Sequence, residues 1–171
     1  MNIALDFDGV LCDTIPAFCR YHRCEHILKN WPKGEYNVLK VTGHTFEAMP
    51  QDFWANLPET PEFKSILGLV SGHSVYFITR FLDMEAARGK FSWILKRFKG
   101  MPLMFCETLK VNFFDEKNVI LLDDCEEECE AWGETAILMP RPWNHAEIPN
   151  DFNEYLYFSI IDRLKIIARQ E

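Results

Sequence analysis

Residues 6–14 read DFDGVLCDT and follow directly on the short apolar run IAL at residues 3–5. An apolar run of this length is typical of a strand buried in a parallel sheet. Asp6 and Asp8 would lie at the end of that strand, where alternate residues of an extended chain point to the same side. Two carboxylates this close repel each other, so the pattern indicates a cation, a shared proton or a substrate between them.

The rest of the chain repeats the pattern of short apolar runs. With the first strand at 3–7, these runs predict strands over 75–78, 103–105, 119–122 and 136–139. Helical patterns lie between most of them, and two apolar stripes predict buried helix faces: Met84, Ala87, Phe91, Ile94, Leu95 and Phe98, and a second stripe within 157–168. Strands that alternate with helices predict a doubly wound, Rossmann-like α/β fold with a parallel sheet.

One long interval breaks this alternation, because more than 65 residues separate the first two predicted strands. A single crossover helix is shorter than that, so the interval predicts an insertion. We expect residues 14–60 to form a small helical cap whose first helix starts near Thr14. Residues 1–13 and 61–171 would form the core domain, with a helix over 61–70. The middle of the insertion, 31–45, is rich in turn-forming residues and shows no clear pattern.

Composition limits the classes of function. The chain has 171 residues, 48% of them hydrophobic, and a formal net charge of −8, which predicts one domain with a small insertion. A negative chain without a basic stripe argues against stable nucleic-acid binding. No targeting segment and no membrane-spanning run is evident, so we expect a soluble cytoplasmic protein with reduced cysteines. Nothing in the sequence indicates an oligomeric state.

Polar residues follow three of the predicted strands at the points where the strands end. They are Asp6 and Asp8 after the first strand, Thr79 and Arg80 after the second, and Asp123 and Asp124 after the fourth. Because the carboxyl ends of parallel strands lie at one edge of a sheet, these side chains would gather in one crevice. Carboxylate oxygens are the ligands that Mg²⁺ prefers, so the sequence predicts a magnesium site at this edge.

These motifs, in this order, resemble those of the haloacid dehalogenase superfamily, in its phosphatase branch. DFDGV matches the first motif, the threonine of FITR the second and LLDD the fourth, and the resemblance runs from residue 1 to about residue 144. Within the superfamily the chain looks most similar to the 5'(3')-deoxyribonucleotidases, including phage and bacterial ones. The inserted cap, the segment FWANLP, the paired aspartates and PRPWNH after the fifth strand support this narrower resemblance.

The resemblance implies a magnesium-dependent phosphomonoesterase that hydrolyses deoxynucleoside monophosphates through an aspartyl-phosphate, with a role in nucleotide metabolism. Asp6 would be the nucleophile and Asp8 the residue that moves protons. Mg²⁺ would be bound by Asp6, the backbone carbonyl of Asp8, and Asp124, with Asp123 as a neighbour in or just behind the ligand set. Thr79 would donate its hydroxyl hydrogen to a phosphate oxygen.

The third motif of the superfamily is a lysine that offsets negative charge around the nucleophile. Two lysines are candidates: Lys110, in ETLKVNFF, and Lys117, in DEKNVILLDD. Lys117 comes just before the fourth strand and would face the opposite edge of the sheet. Its position therefore favours Lys110, and both stay open at this point.

Four further residues are candidates for contacts with the substrate. Gly9 permits a sharp exit from the strand and a close approach of phosphate. Arg80 could contact phosphate or pair with a surface acid. In the cap, Phe18 and Trp54 could stack on a nucleobase, although aromatic residues of a small insertion also form its own core.

Other functions stay open on the sequence. One is a phosphatase for another small ester, such as a sugar phosphate or a nucleic-acid end, and the acidic charge argues against the last. Another is a catalytically silent member that binds a nucleotide or a protein. The intact pair of Asp6 and Asp8 argues against it, because a silent protein has no need of an acid–base residue.

Overall fold

The computed structural model describes residues 2–114 and 118–169. Five strands form one sheet: β1 (Asn2–Asp6), β2 (Ser74–Arg80), β3 (Leu103–Cys106), β4 (Val119–Asp123) and β5 (Ala136–Leu138). Their order is β3-β2-β1-β4-β5, and every neighbouring pair is parallel. The predicted strands and the doubly wound α/β fold are confirmed.

The helices are α1 (Thr14–Tyr21), α2 (Val38–Thr42), α3 (Gln51–Ala55), α4 (Phe63–Val70), α5 (Met84–Arg97), α6 (Glu126–Trp132) and α7 (Phe152–Ala168). Short 3₁₀ turns lie at Glu25–Asn30, Phe46–Ala48 and Lys110–Phe113. Asp83 caps α5 by accepting a hydrogen bond from the backbone of Ala86 at 2.8 Å. None of the helices in the described ranges combines the length and the apolar character needed to cross a membrane.

The central strands bring the carboxylates of the predicted site together. β1 and β4 are neighbours, with Leu5 opposite Leu122 in the register. Asp6 and Asp123 end these two strands, so they reach the same edge of the sheet side by side. All five residues of β4 are buried, as expected for a strand covered by helices on both faces.

The segment 14–60 packs on the core through one continuous hydrophobic cluster. This cluster contains Phe18 and Trp54 of the segment together with Leu5 of β1 and Trp93 of α5. The predicted division of the chain into a core and a cap stays a prediction, because both parts share this cluster.

The buried face of α5 differs from the predicted stripe. Met84, Phe91 and Leu95 are 59, 47 and 47% exposed, so this part of the prediction is wrong. The buried residues of α5 are Ala86, Gly89, Lys90, Trp93 and Ile94. This face includes a glycine and a lysine, so a search for apolar residues at helical spacing does not detect it. At Gly89 the helix lies so close to α3 that an added Cβ would be 2.3 Å from the Cβ of Trp54.

Candidate active site

Three aspartates meet where β1 and β4 end. Carboxylate oxygens of Asp6, Asp123 and Asp124 lie within 4.8 Å of one another, and all three residues are buried. The ammonium group of Lys110 donates to Asp6 Oδ1 and to Asp123 Oδ2, at 2.5 Å in each case. We call these four residues the carboxylate cluster.

Lys110 reaches the cluster from the 3₁₀ turn that follows β3. Its backbone N–H donates to Glu128 Oε2 at 2.9 Å, which fixes the turn against α6. The structure thus places Lys110 beside Asp6, as its sequence position favoured. Lys117, the other candidate, lies outside the described residues.

The carboxylate cluster holds more negative than positive charge. Burial raises the pKa of Asp6 well above its ordinary value, although Lys110 opposes the shift. Burial and the neighbouring Asp123 raise the pKa of Asp124 to about 7. Burial alone would lower the pKa of Lys110, but the carboxylates of Asp123 and Asp6 outweigh it and the pKa is raised. A bound cation would relieve the repulsion that these shifts express.

The donor set of the cluster fits a hard divalent cation. Both oxygens of Asp123 are engaged, because Oδ1 accepts from the backbone of Cys125 at 2.9 Å and Oδ2 from Lys110. Asp124 accepts from Trp143 Nε1 at 2.5 Å through Oδ2. Among the described residues, Asp6 Oδ2 and Asp124 Oδ1 accept no hydrogen bond and are thus free to act as ligands. Oxygen ligands of this kind suit Mg²⁺.

Gly9 lies against the cluster in a conformation that glycine favours. Its φ is +69°, and an added Cβ would be 2.1 Å from Asp124 Oδ2. The carbonyl of Gly9 accepts from Arg141 Nε at 2.6 Å, and Arg141 also pairs with Glu62 at 3.0 Å. A side chain at residue 9 would therefore displace the carboxylate of Asp124.

The side chain of Asp8 has a separate set of partners. Asp8 Oδ1 accepts from the hydroxyl of Thr14 at 2.7 Å, and Oδ2 accepts from the ammonium group of Lys90. Lys90 also donates to Thr79 Oγ1 at 2.9 Å and to the carbonyl of Arg80 at 2.7 Å. We call Asp8, Thr14, Thr79 and Lys90 the Lys90 cluster.

Lys90 is a functional candidate that the sequence reasoning missed. It lies on α5 and is 2% exposed. The signal that could have found it is its spacing: Lys90 is four residues after Ala86 and three before Trp93, on the face that is buried. A lysine at such a position is rarely buried without a charged partner.

Residues of the segment 14–60 and of the loop after β5 hold Asp124 in place. The backbone carbonyl of Asp124 accepts from the hydroxyl of Tyr36 and from Asn144 Nδ2, both at 2.9 Å. Asn144 is fully buried and also donates to the carbonyl of Met139 at 2.8 Å. Tyr36, in the segment 31–45 without a clear pattern, was missed.

Three more predicted site residues, one of them Thr79 of the Lys90 cluster, contact other groups of the protein. Arg80 Nε is 2.8 Å from Glu128 Oε1, so its guanidinium pairs with an acid. The hydroxyl of Thr79 lies 3.1 Å from the carbonyl of Arg80. Phe18 is fully buried and packs on Phe46, with ring centroids 4.4 Å apart.

A small cavity connects the two clusters. Its volume is about 160 Å³, and it is lined by Asp8, Gly9, Thr14, Ile15, Tyr36, Phe46, Trp54, Asp124 and Trp143. The indole N–H of Trp54 is buried without a hydrogen-bond partner among the described residues. A buried donor without a partner is costly, so an acceptor on a bound molecule would be favourable there.

Comparisons with known proteins support the fold. No protein-family model and no curated protein matches the sequence. A haloacid dehalogenase-like family hydrolase from Xanthomonas campestris superimposes with a TM-score of 0.62 at 11% identity, over 100% of this chain and 94% of that chain. A haloacid dehalogenase superfamily hydrolase of subfamily IA, variant 1, from Geobacter sulfurreducens gives 0.50 at 13% identity, over 92% and 98%.

At such low identity the similarity shows the fold alone. The chain has the α/β fold seen in haloacid dehalogenase-type hydrolases. The narrower resemblance to the 5'(3')-deoxyribonucleotidases stays a prediction.

Proposed function

We propose that this chain is a magnesium-dependent phosphomonoesterase of the haloacid dehalogenase type, acting on deoxynucleoside monophosphates. One observation carries the proposal: Asp6 is held by Lys110 at 2.5 Å inside an acidic cluster, and Asp8 lines a cavity beside it. A nucleophile, a charge-neutralising lysine and a proton-transfer residue are thus grouped near one cavity: Asp8 and Asp124 line it, and Asp6 and Lys110 lie directly behind Asp124 in the carboxylate cluster. This is the set that a phosphoryl transfer through a carboxylate requires.

In the first half of the proposed reaction, a carboxylate oxygen of Asp6 attacks phosphorus. The bond between phosphorus and the ester oxygen breaks, and Asp8 in its acid form gives its proton to that oxygen. The products are the free alcohol and an aspartyl-phosphate on Asp6. Lys110, hydrogen-bonded to Asp6, stabilises the negative charge of the nucleophile and phosphate.

In the second half, water attacks the phosphorus of the aspartyl-phosphate. Asp8, now a carboxylate, takes a proton from this water, and the bond between phosphorus and Asp6 breaks. Inorganic phosphate is released, and Asp6 and Asp8 return to their starting states. The two hydrogen bonds to Asp8 keep its carboxyl group facing the cavity throughout.

The proposed Mg²⁺ ligands are Asp6, Asp124 and the backbone carbonyl of Asp8, while Asp123 orients Lys110. Bound there, Mg²⁺ would neutralise charge on the transferring phosphoryl group. Trp143 and Gly9 serve this site by fixing the carboxylate of Asp124.

A nucleotide substrate is supported by the aromatic lining of the cavity. Tyr36, Phe46, Trp54 and Trp143 offer flat surfaces on which a base can stack. The volume of about 160 Å³ is below the roughly 300–1,000 Å³ of typical ligand pockets, so a nucleoside monophosphate requires the cap to move outward.

The same volume favours a second candidate function. A small ester, such as a sugar phosphate, would need less movement of the cap than a nucleotide does. This second candidate uses the same residues for the chemistry and differs only in the group that the cap receives.

A substrate panel tests the proposal. Purified protein with Mg²⁺ is given 5'- and 3'-deoxynucleotides, ribonucleotides and sugar phosphates, and the released phosphate is measured. We expect kcat/KM to be highest for deoxynucleotides and Asp6→Asn to lose activity by about 10⁴-fold or more. Asp162→Asn is the matched control, because Asp162 pairs with Lys165 on the exposed surface of α7.

Two results would contradict the proposal at different levels. Equal rates on sugar phosphates and deoxynucleotides would refute the nucleotide as the substrate, while the phosphatase activity would still be supported. No turnover of any monophosphate, with the wild type behaving like Asp6→Asn, would instead support a silent binding protein.

A further inference from the structure

We infer that Lys90 is a positioning residue for proton transfer: it holds the carboxyl group of Asp8 in the orientation that serves the leaving group. The inference rests on the proposed function and adds to it a residue on α5. Lys90 differs from Lys110, whose contacts are with Asp6 and Asp123.

The hydrogen bonds of Lys90 account for every donor that it has. An ammonium group carries three N–H bonds. Lys90 directs them at three oxygens: Asp8 Oδ2, Thr79 Oγ1 and the carbonyl of Arg80. A direct contact with phosphate would require the loss of one of these bonds, so Lys90 acts through Asp8 and Thr79.

The surroundings of the ammonium group keep it in place. Its side chain is 3% exposed, and Nζ lies 5.4 Å from the ring centroid of Phe7 and 5.2 Å from that of Trp54. Rings at this distance attract a cation through their π faces. A buried ammonium that lost its oxygen partners would be strongly disfavoured, so the contact with Asp8 is held firmly.

Asp8 is restrained from two sides. Lys90 holds Oδ2 from the core helix α5, and Thr14 holds Oδ1 from the first residue of α1. Proton transfer depends on the distance and angle to the reacting oxygen, so an unrestrained carboxyl group would transfer protons less efficiently. Removal of Lys90 leaves Asp8 with one restraint at the start of the cap.

The test compares two leaving groups. An alkoxide needs a proton as it departs, whereas p-nitrophenolate departs as a stable anion and gains little from an acid. The rate constant kcat/KM is measured for p-nitrophenyl phosphate and for the alkyl monophosphate that the wild type hydrolyses best. This parameter reports the steps up to phosphoryl transfer and excludes the later hydrolysis of the aspartyl-phosphate.

We expect Lys90→Met to lose about 10–100-fold in kcat/KM on the alkyl monophosphate and less than about 3-fold on p-nitrophenyl phosphate. Lys96→Met is the matched control on the same helix, because Lys96 contacts the carbonyl of Ala55 at 3.2 Å and has no contact with Asp8. This control should keep both rates.

A double variant tests whether Lys90 acts through Asp8. In a background of Asp8→Asn, the change Lys90→Met should add little further loss on the alkyl substrate. Independent losses that multiply would overturn the inference. An equal loss on both substrates in the single variant, or no loss on either, would also overturn it.

Two further measurements keep the test decisive. Thermal unfolding of each variant shows whether it is folded. Lys90→Leu, which also removes every donor to Asp8, replaces Lys90→Met if the latter does not fold, and Lys90→Gln, which keeps one donor, should lose less than either on the alkyl monophosphate. A wild type that hydrolyses no alkyl monophosphate overturns the proposed function itself. A wild type that is active, with variants that show no selectivity for the leaving group, overturns only the role of Lys90.

Discussion

Lys110 and Lys90 are both buried at the carboxyl edge of the sheet, but their surroundings differ. Lys110 lies between two carboxylates, Asp6 and Asp123, which come from the ends of neighbouring strands. Lys90 contacts one carboxylate, a hydroxyl and a carbonyl, and it lies near two aromatic rings. The carboxylate cluster is thus assembled around strand ends, whereas the Lys90 cluster also depends on Lys90 of α5 and on Thr14 at the start of α1.

Under the proposed function, the difference separates two tasks within one site. The carboxylates that would bind a cation repel one another, so they must be held in place. The ends of the buried strands β1 and β4 hold them. A group that moves protons must instead face the cavity, and Asp8 does so with its side chain 34% exposed.

Lys110→Met should lower kcat by about 10²–10³-fold on every substrate, because charge on the phosphoryl group loses its fixed cation. The loss should not depend on the leaving group, in contrast to Lys90→Met. Steady-state kinetics on the same two substrates provide the measurement, and circular dichroism checks the fold.

Lys117→Met is the control for this variant, since sequence alone left both lysines open. It should keep wild-type kinetics. If Lys117→Met were the inactive variant and Lys110→Met the active one, the carboxylate cluster would not be the catalytic one.

The ends of the strands could be predicted from the sequence because two simple rules agree there. Short apolar runs mark buried parallel strands, and parallel strands end at one edge, which brings Asp6 and Asp123 together. Lys110 could be proposed from its position between β3 and β4. None of these conclusions depends on knowing which face of a helix is buried, that is, how the helix is rotated about its axis.

The Lys90 cluster could not be predicted because it depends on that rotation. The apolar pattern of α5 placed Met84, Phe91 and Leu95 inward, whereas these side chains are exposed. Tyr36 was missed for a related reason: it lies between short turns where no periodic pattern exists, and its contact with Asp124 spans 88 positions of the chain.

Asp124→Asn should raise the Mg²⁺ concentration needed for half-maximal activity by about 10–100-fold, because it weakens a proposed direct ligand. Asp123→Asn should change this requirement less, since both oxygens of Asp123 already bind protein donors. A titration of activity against Mg²⁺ compares the two variants. If Asp123→Asn raised the required Mg²⁺ concentration more than Asp124→Asn does, Asp123 would be the direct ligand instead of Asp124.

The stability of the protein without Mg²⁺ should fall as the pH rises from about 4 to about 7. The pKa of Asp124 is raised to about 7 in the folded state, so the folded state binds more protons than the unfolded chain over this range. For Asp124 alone, the linkage relation gives a loss on the order of 4 kcal/mol. Bound Mg²⁺ should offset it, because the cation favours the ionised carboxylates.

Thermal unfolding with EDTA and with Mg²⁺ at pH 5 and pH 8 measures this effect. Mg²⁺ should raise the melting temperature more at pH 8, and NaCl at matched ionic strength serves as the control. An equal increase at both pH values would show that the cation does not bind these carboxylates.

Arg80→Met should have the smallest effect, with a change in KM of less than about 3-fold. Its guanidinium is paired with the buried carboxylate of Glu128, with Nε and Oε1 2.8 Å apart, so its main contact is with the protein and not with the substrate. A rise in KM of tenfold or more would show that Arg80 leaves Glu128 to contact the substrate.

The close packing at Gly89 has a consequence for exchanging caps between proteins of this fold. Because α3 rests on α5 without an intervening side chain, we expect Trp54 to keep its place against α5 when the rest of 14–60 is replaced. A graft that replaced the whole of 14–60 would also remove α3, which forms part of the surface on which the rest of this segment packs. We therefore expect a chimera joined before α3, near residue 50, to keep the surface that α3 and α5 form together, and to accept a new segment more readily than one joined at residue 60.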